Sequence, residues 1–242
     1  MKPSKFHLFL FSMFFLYSLS YSETITDYLK FFSSLKSRIP GYEGNIKAAS
    51  FIENKFKEIG LKDVKKEEFF TTIPVEKYAY LQKGKERIKI YSLWPNLVRT
   101  STIPPEGFET CLIYGGKGNL KTLDGKDISG SIVVLDFDSD DNWTTLAMLG
   151  VKGFIFLNSG DITRKEAEKK FLRIPVNVPR FYAGENSEKI KNLALKGKRV
   201  KLFAKVDWEK VPNFNIYGVV EGIDEKLKDE IIVLESYYDS IS

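Results

Sequence analysis

Asp136, Asp138 and Asp140 stand at alternate positions, the residue type and spacing with which a calcium loop begins. Such a loop also needs glycine at its sixth position and a bidentate Glu at its twelfth. Those positions hold Asp141 and Ala147, so the run is not an EF-hand. It reads as a strand end with solvated carboxylates, and weak cation binding there stays open. Gly115-Gly116-Lys117-Gly118 has the composition of a phosphate cradle but lacks the G-x-x-x-x-G-K-S/T spacing and opens no helix, so it reads as a glycine-rich turn. Cys111 lies in an apolar run and is expected to be a buried small hydrophobe. A thiol nucleophile needs a base to activate it, and the chain has one histidine, His7. Asn142-Trp143-Thr144 matches the N-x-S/T pattern of glycosylation. It is better explained as a helix start, with Asp141 or Asn142 capping a helix that begins at Trp143.

His7 lies in a segment with the form of an export signal. Lys2 and Lys5 make the charged start, Phe6 to Leu19 is a short apolar run, and Ser20-Tyr21-Ser22 puts small residues at the cleavage site. The run is shorter than the roughly 20 apolar residues a membrane span needs. Residues 1–22 are therefore expected to be a cleaved signal peptide, and the protein to be exported to the periplasm or the medium. Without that segment no histidine remains, which removes His-based acid–base catalysis and His–metal ligation from the mature chain. Loss of Lys2 and Lys5 lowers the formal charge from +5 to +3. So small a surplus, spread among Glu residues, argues against nucleic acid as a partner. No later segment is long and apolar enough to span a membrane. With one cysteine there is no internal disulfide, and at 242 residues with 43% hydrophobic content the chain holds itself together by burial.

The elements that carry these residues alternate between helix and strand. Helical spacing of Ile25, Leu29, Phe32 and Leu35 predicts a helix over 24–37, capped by Thr24 or Thr26. A second helix is predicted over 45–59, with Asn45 at its N-cap, a buried stripe of Ala49, Ile52, Phe56 and Ile59, and Gly60 at its left-handed end. Strands are predicted over 64–70, 78–82, 88–93, 111–114, 132–137, 154–157, 199–206, 215–221 and 231–234. Trp143 to Leu149 reads as a helix between two apolar strands, a strand–helix–strand unit with a parallel pair. Further helices are predicted over 164–171 and 185–196, with 175–181 irregular or extended.

Several of these segments, in order, resemble the co-catalytic zinc aminopeptidases, the family of leucyl and other secreted aminopeptidases, glutamate carboxypeptidase and the transferrin receptor ectodomain. Ser37-Arg38-Ile39-Pro40-Gly41-Tyr42-Glu43-Gly44 and the helix ending Phe56-Lys57-Glu58-Ile59-Gly60-Leu61 resemble the family's opening. Asn213-Phe214-Asn215-Ile216-Tyr217-Gly218-Val219-Val220-Glu221-Gly222 resembles the strand before its first metal motif, and Ile231 to Ser240 the strand carrying that motif. Asp127 to Leu135, Leu146 to Phe156 and Ile174 to Arg180 are similar to a protease-associated domain, which many members carry as an insertion. The resemblance implies an α/β fold. A partial zinc-aminopeptidase-like domain is expected from 23–72 and 211–242, and an inserted protease-associated domain from 73–210.

The family's first metal motif is His-x-Asp. Ser236-Tyr237-Tyr238-Asp239-Ser240 puts Tyr237 where the metal-binding His would be, and Asp239 where a carboxylate orients that imidazole. A neutral phenol is a poor zinc ligand beside imidazole. The family's remaining ligands would follow this strand, and the sequence stops three residues after Asp239. No catalytic, cofactor-binding or metal-binding residue is therefore assigned, and no cofactor is expected in this chain, although the family uses zinc. Three readings compete: the N-terminal part of an exported aminopeptidase-like polypeptide, a non-catalytic binding or interaction module for a peptide or protein on the same scaffold, and a hydrolase using some other site. No nucleophile–base pair supports the last.

Overall fold

The computed structural model describes residues 24–160 and 162–240. The proposed export signal, His7 included, lies outside them. The chain divides into two units, residues 1–36 and 37–242.

In the first unit, helix α1 (Ile25–Ser34) begins at Thr24. The Asp27 carboxylate accepts from the Thr24 backbone N–H at 3.0 Å and from its hydroxyl at 2.8 Å. These bonds hold the Asp27 pKa below the usual carboxylate value. The predicted apolar stripe is present, but Ile25 and Leu29 are exposed and the helix ends three residues early.

The second unit opens with helix α2 (Glu43–Glu58). Its N-cap is Tyr42, not Asn45. Asn45 is fully buried instead, and its side-chain N–H donates to the Arg38 carbonyl at 3.2 Å. Ala48 and Ala49 form the buried stripe, while Ile59 is exposed. Gly60 adopts φ +81°, with Gly60 N–H bonded to Lys57 O and Leu61 N–H to Phe56 O, the paired bonds of a Schellman end.

The sheet has eight strands in the order β2-β1-β8-β4-β5-β6-β7-β3. Strand β1 (Lys62–Lys83) and strand β8 (Arg199–Val219) form a long antiparallel ribbon from Lys62 opposite Val219 to Gln82 opposite Lys201, with register shifts between Lys62 and Lys65 and between Glu76 and Tyr78. The predicted strands 64–70 and 78–82 are one element, as are 199–206 and 215–221. Pro74 and Pro212, which argue for breaks, sit where the ribbon has a neighbour on one side only. A missing N–H there costs no ladder bond on the open edge. Helix α2 lies against both strands. The expected domain boundaries fall inside the ribbon, at Thr72 and Lys210, which face each other in register.

Strand β2 (Glu86–Lys89) returns from β1 through Gly84-Lys85, with Gly84 at φ +60°. Strand β3 (Tyr91–Ser92) then leaves that pairing for β7 (Arg180–Tyr182). The change of partner at Ile90 splits the strand predicted over 88–93. Strands β4 (Phe108–Tyr114), β5 (Ile132–Leu135), β6 (Gly153–Phe156) and β7 run parallel, and β4 joins the ribbon antiparallel to β8. Helix α3 (Asn142–Met148) connects β5 to β6, the expected parallel strand–helix–strand unit.

Both faces of this parallel core are covered, which is why its strands read as unbroken apolar runs. Ile132 and Val134 join Leu112, Ile155, Phe181 and helix α5 (Ser187–Leu195), preceded by a 3-10 turn over Gly184–Asn186, on one face. Val133 and Leu135 join Phe154, Phe156, Trp143 and Leu146 on the other. Helix α4 (Arg164–Ala167) is shorter than predicted. The buried guanidinium of Arg180 donates to the carbonyls of Lys170, Phe171 and Trp94, which fixes the chain after α4 in turns.

Beyond β8 the expected strand over 231–234 is absent. Residues 220–240 hold turns but no helix or strand. Ile231, Ile232, Val233 and Leu234 are all largely exposed, because no neighbouring strand accepts their backbone or covers their side chains.

Candidate functional site

The segment that resembles the metal motif, Ser236 to Ser240, touches the fold through Tyr238 rather than Tyr237. The Tyr238 hydroxyl donates to the Phe214 carbonyl at 2.9 Å, and Ser240 N–H donates to Arg38 O at 3.2 Å. Burial, and then the neighbouring Asp239 charge, raise the Tyr238 pKa above that of free tyrosine. Tyr237 is 88% exposed, whereas Asp239 is half-buried. Among the described residues no group of three or more His, Cys, Asp or Glu side chains stands close enough to hold a metal ion. An exposed phenol beside one carboxylate is not a donor set that fits zinc.

Two motifs separate in sequence meet at the C-terminal ends of β4 and β5. Lys117 of the glycine-rich turn pairs with Asp138 at 2.6 Å, and Asp136 N–H donates to Gly116 O at 2.8 Å. The Tyr114 hydroxyl donates to Asp136 at 2.8 Å, and the Tyr114 pKa is pushed up to about 12, first by burial and then by that bond. The salt bridge to Lys117 lowers the Asp138 pKa. With Asp136 and Asp138 each engaged by a side chain, and Asp140 in a left-handed turn at φ +45°, the run is not arranged as a cation loop. Asp141 is the N-cap residue of α3, without a side-chain cap bond, and Asn142 instead donates to Lys117 O at 2.9 Å. Cys111 is half-buried, not buried as expected. It sits near the ribbon junction on β4, with Arg199 Nη1 3.9 Å from its sulfur.

A cleft of about 170 Å³ gathers residues that no local pattern links: Tyr42, Glu76, Ser92, Arg164, Lys165 and Glu168. Glu168 is 5% exposed and accepts from Arg164 Nε at 2.6 Å, with the Lys165 ammonium 3.5 Å away. Lys165 also donates to the Tyr42 hydroxyl at 2.9 Å, which joins α4 to the loop before α2. The Glu76 carboxylate takes the Ser92 backbone N–H and the Lys89 ammonium. Arg164 stacks over Tyr91, 4.0 Å from the ring centroid. Pro74 and Trp94 line both this cleft and a larger, mainly apolar groove of about 590 Å³ that holds Pro95, Leu97, Val98 and Trp208. Sequence reasoning missed this site because its residues come from β1, β3, α4, β8 and two loops.

No protein-family model and no curated protein matches the sequence. Solved structures do. A zinc aminopeptidase from Bacillus subtilis matches over 81% of this chain and 46% of its own, at 18% identity and a TM-score of 0.55. A medium-resolution structure of the same enzyme matches over the same shares at 0.52. An aminopeptidase from Aneurinibacillus sp. strain AM-1 matches over 87% of this chain and 52% of its own, at 20% identity and 0.48. The chain thus has the α/β fold of part of a zinc aminopeptidase, and it spans about half the length of the structures it matches. Among the described residues no helix is long and apolar enough to cross a membrane.

Proposed function

We propose that this chain is the N-terminal part of an exported zinc-aminopeptidase-like protein and has no peptidase activity by itself. The observation that carries the reading is the likeness in fold to the Bacillus subtilis enzyme over 81% of the chain, together with Tyr237 at the position of the family's first metal-binding His. Residues 23–72 and 211–242 then belong to the peptidase-like part and 73–210 to an inserted protease-associated domain. The facing junction residues Thr72 and Lys210 support that division, since an insertion must leave and return at neighbouring points. Hydrolysis in such enzymes needs a metal-bound water and a general base, and among the described residues no group of three or more His, Cys, Asp or Glu side chains could hold the metal ion. The exposed apolar run Ile231–Leu234 favours, as a second reading, an interaction module whose partner covers that run.

The reading frame after the Ser242 codon separates the two. An open frame encoding the family's remaining ligands, a bridging Asp, a Glu pair that includes the general base, another carboxylate and a second His, is the expected result. A stop followed by unrelated sequence overturns the first reading in favour of the second.

A further inference from the structure

The positive surplus is spread along the sequence, but the fold gathers it. Residues 83–89 and 196–201 hold eight Lys or Arg and one carboxylate, Glu86, a local charge of +7 against +5 for the whole chain. The sheet joins the two segments. Gln82 stands in register with Arg87 of β2 on one side and with Lys201 of β8 on the other. Glu86 pairs with Lys189 of α5, the helix that leads into the second segment. The hairpin turn at Gly84-Lys85 and the turn at Lys196-Gly197-Lys198 each hold a left-handed glycine, at φ +60° and +57°.

Most of these cations have no acid of their own. Lys89 is held by Glu76, and Arg199 by Glu109 at 3.0 Å. Lys83, Lys85, Arg87, Lys196, Lys198 and Lys201 pair with no carboxylate among the described residues, and all but Lys201 are exposed. Arg87 and Lys201 rest on aromatic rings instead. The Arg87 guanidinium lies 4.8 Å from the Tyr80 centroid, Lys201 Nζ lies 5.3 Å from that of Phe203, and the two rings stack at 5.0 Å. Rings occupied by each other and by cations offer no free face to a nucleic-acid base.

Leu195 ends α5 inside this group, 60% exposed and immediately before Lys196. Cations alone suit any polyanion. A leucine among them is matched by a lipid surface, where headgroups neutralise the cations and the acyl boundary takes the apolar side chain.

We propose that this end of the sheet binds an anionic lipid surface peripherally, with Lys85, Arg87, Lys196, Lys198 and Lys201 at the headgroups and Leu195 at the acyl boundary. The surface is separate from Ser236 to Ser240 and stands independently of the peptidase reading.

Co-sedimentation with lipid vesicles tests it, using the chain without residues 1–22, whose apolar run would itself enter lipid. The protein binds vesicles of phosphatidylcholine and phosphatidylglycerol at about 7:3 in about 50 mM NaCl, ignores phosphatidylcholine alone, and is released at about 300 mM NaCl. Lys196→Glu with Lys198→Glu weakens binding about twentyfold or more, and Leu195→Ser about fivefold. The thermal midpoint stays unchanged, since none of these side chains makes a hydrogen bond or ion pair within the described residues. Lys65→Glu with Lys226→Glu makes the same change of charge at and beyond the other end of the ribbon, where Lys65 faces Tyr217, and leaves binding within about twofold. Equal binding to both kinds of vesicle, absence of binding at millimolar lipid, or equal losses in the two double variants would each overturn the proposal. So would unaltered affinity in Leu195→Ser, or complete displacement from the vesicles by single-stranded DNA at equal phosphate concentration, which would assign the cations to a soluble polyanion.

Discussion

The Tyr238 hydroxyl donates to the Phe214 carbonyl at 2.9 Å and ties the metal-motif segment to the end of the β1–β8 ribbon. Its neighbour Tyr237 is 88% exposed. Tyr237, which the proposed reading sets at the position of the family's metal-binding His, is thus exposed to water.

Tyr238→Phe removes the hydroxyl that reaches Phe214 O at 2.9 Å and Asn213 Oδ1 at 3.4 Å, and is expected to cost about 1 kcal/mol. The loss is felt as faster proteolysis within residues 220–240. Tyr237→Ala touches nothing buried and should stay within about 0.5 kcal/mol of the parent. Thermal denaturation together with timed proteolysis checks both, and equal effects of the two substitutions would contradict the assigned anchor.

Trp143 is fully buried, edge-on to Phe154 at 5.6 Å and stacked on Phe171 at 5.0 Å. Trp143→Ala should cost about 3–5 kcal/mol in urea unfolding, as for other large aromatic truncations in cores. The indole N–H is buried without a partner. Trp143→Phe loses no hydrogen bond, so its cost should fall well below that of the alanine variant.

The strand–helix–strand unit and the Gly60 helix end were legible because each rests on a local pattern: an apolar run of strand length, a helical stripe, a glycine at the left-handed position. The ribbon was not. Pro74 and Pro212 look like breaks until it is known that the strand edge beside each is open. The segment Ile231–Leu234 shows the converse. Its composition is that of a strand, but a strand needs a partner, and none of the described residues pairs with it. The cleft around Glu168 left no trace in sequence, since its residues gather only through the tertiary fold.

Burial lowers the pKa values of Lys169 and Lys170 to about 8 each, against about 10.4 for an unfolded lysine. Between these values the unfolded chain binds more protons than the folded one, so stability rises with pH across that window. Tyr114 acts in the opposite sense. Its folded pKa of about 12 exceeds the unfolded value of about 10, so stability falls as pH climbs from 10 toward 12. Urea midpoints should increase from pH 7.5 to 9.5 and decline above 10. Lys170→Met should flatten the rise, and an unaltered profile in that variant would refute the assignment.

Limited proteolysis should cut first within residues 220–240, which are exposed and outside any helix or strand. A core within residues 73–210, holding β4 to β7 on two packed faces, should persist longest. Destruction of this core while the flanks survive would contradict the proposed division at Thr72 and Lys210.

The central claim, a zinc-aminopeptidase-like chain without its own metal centre, is tested most directly by zinc analysis of the dialysed protein alongside a chromogenic aminopeptidase assay. Both are run on the parent and on Tyr237→His. The account predicts zinc well below one ion per chain and no turnover in either form, because a single restored imidazole beside Asp239 cannot hold a co-catalytic pair. Stoichiometric zinc in the parent, or turnover that a chelator abolishes, would contradict it.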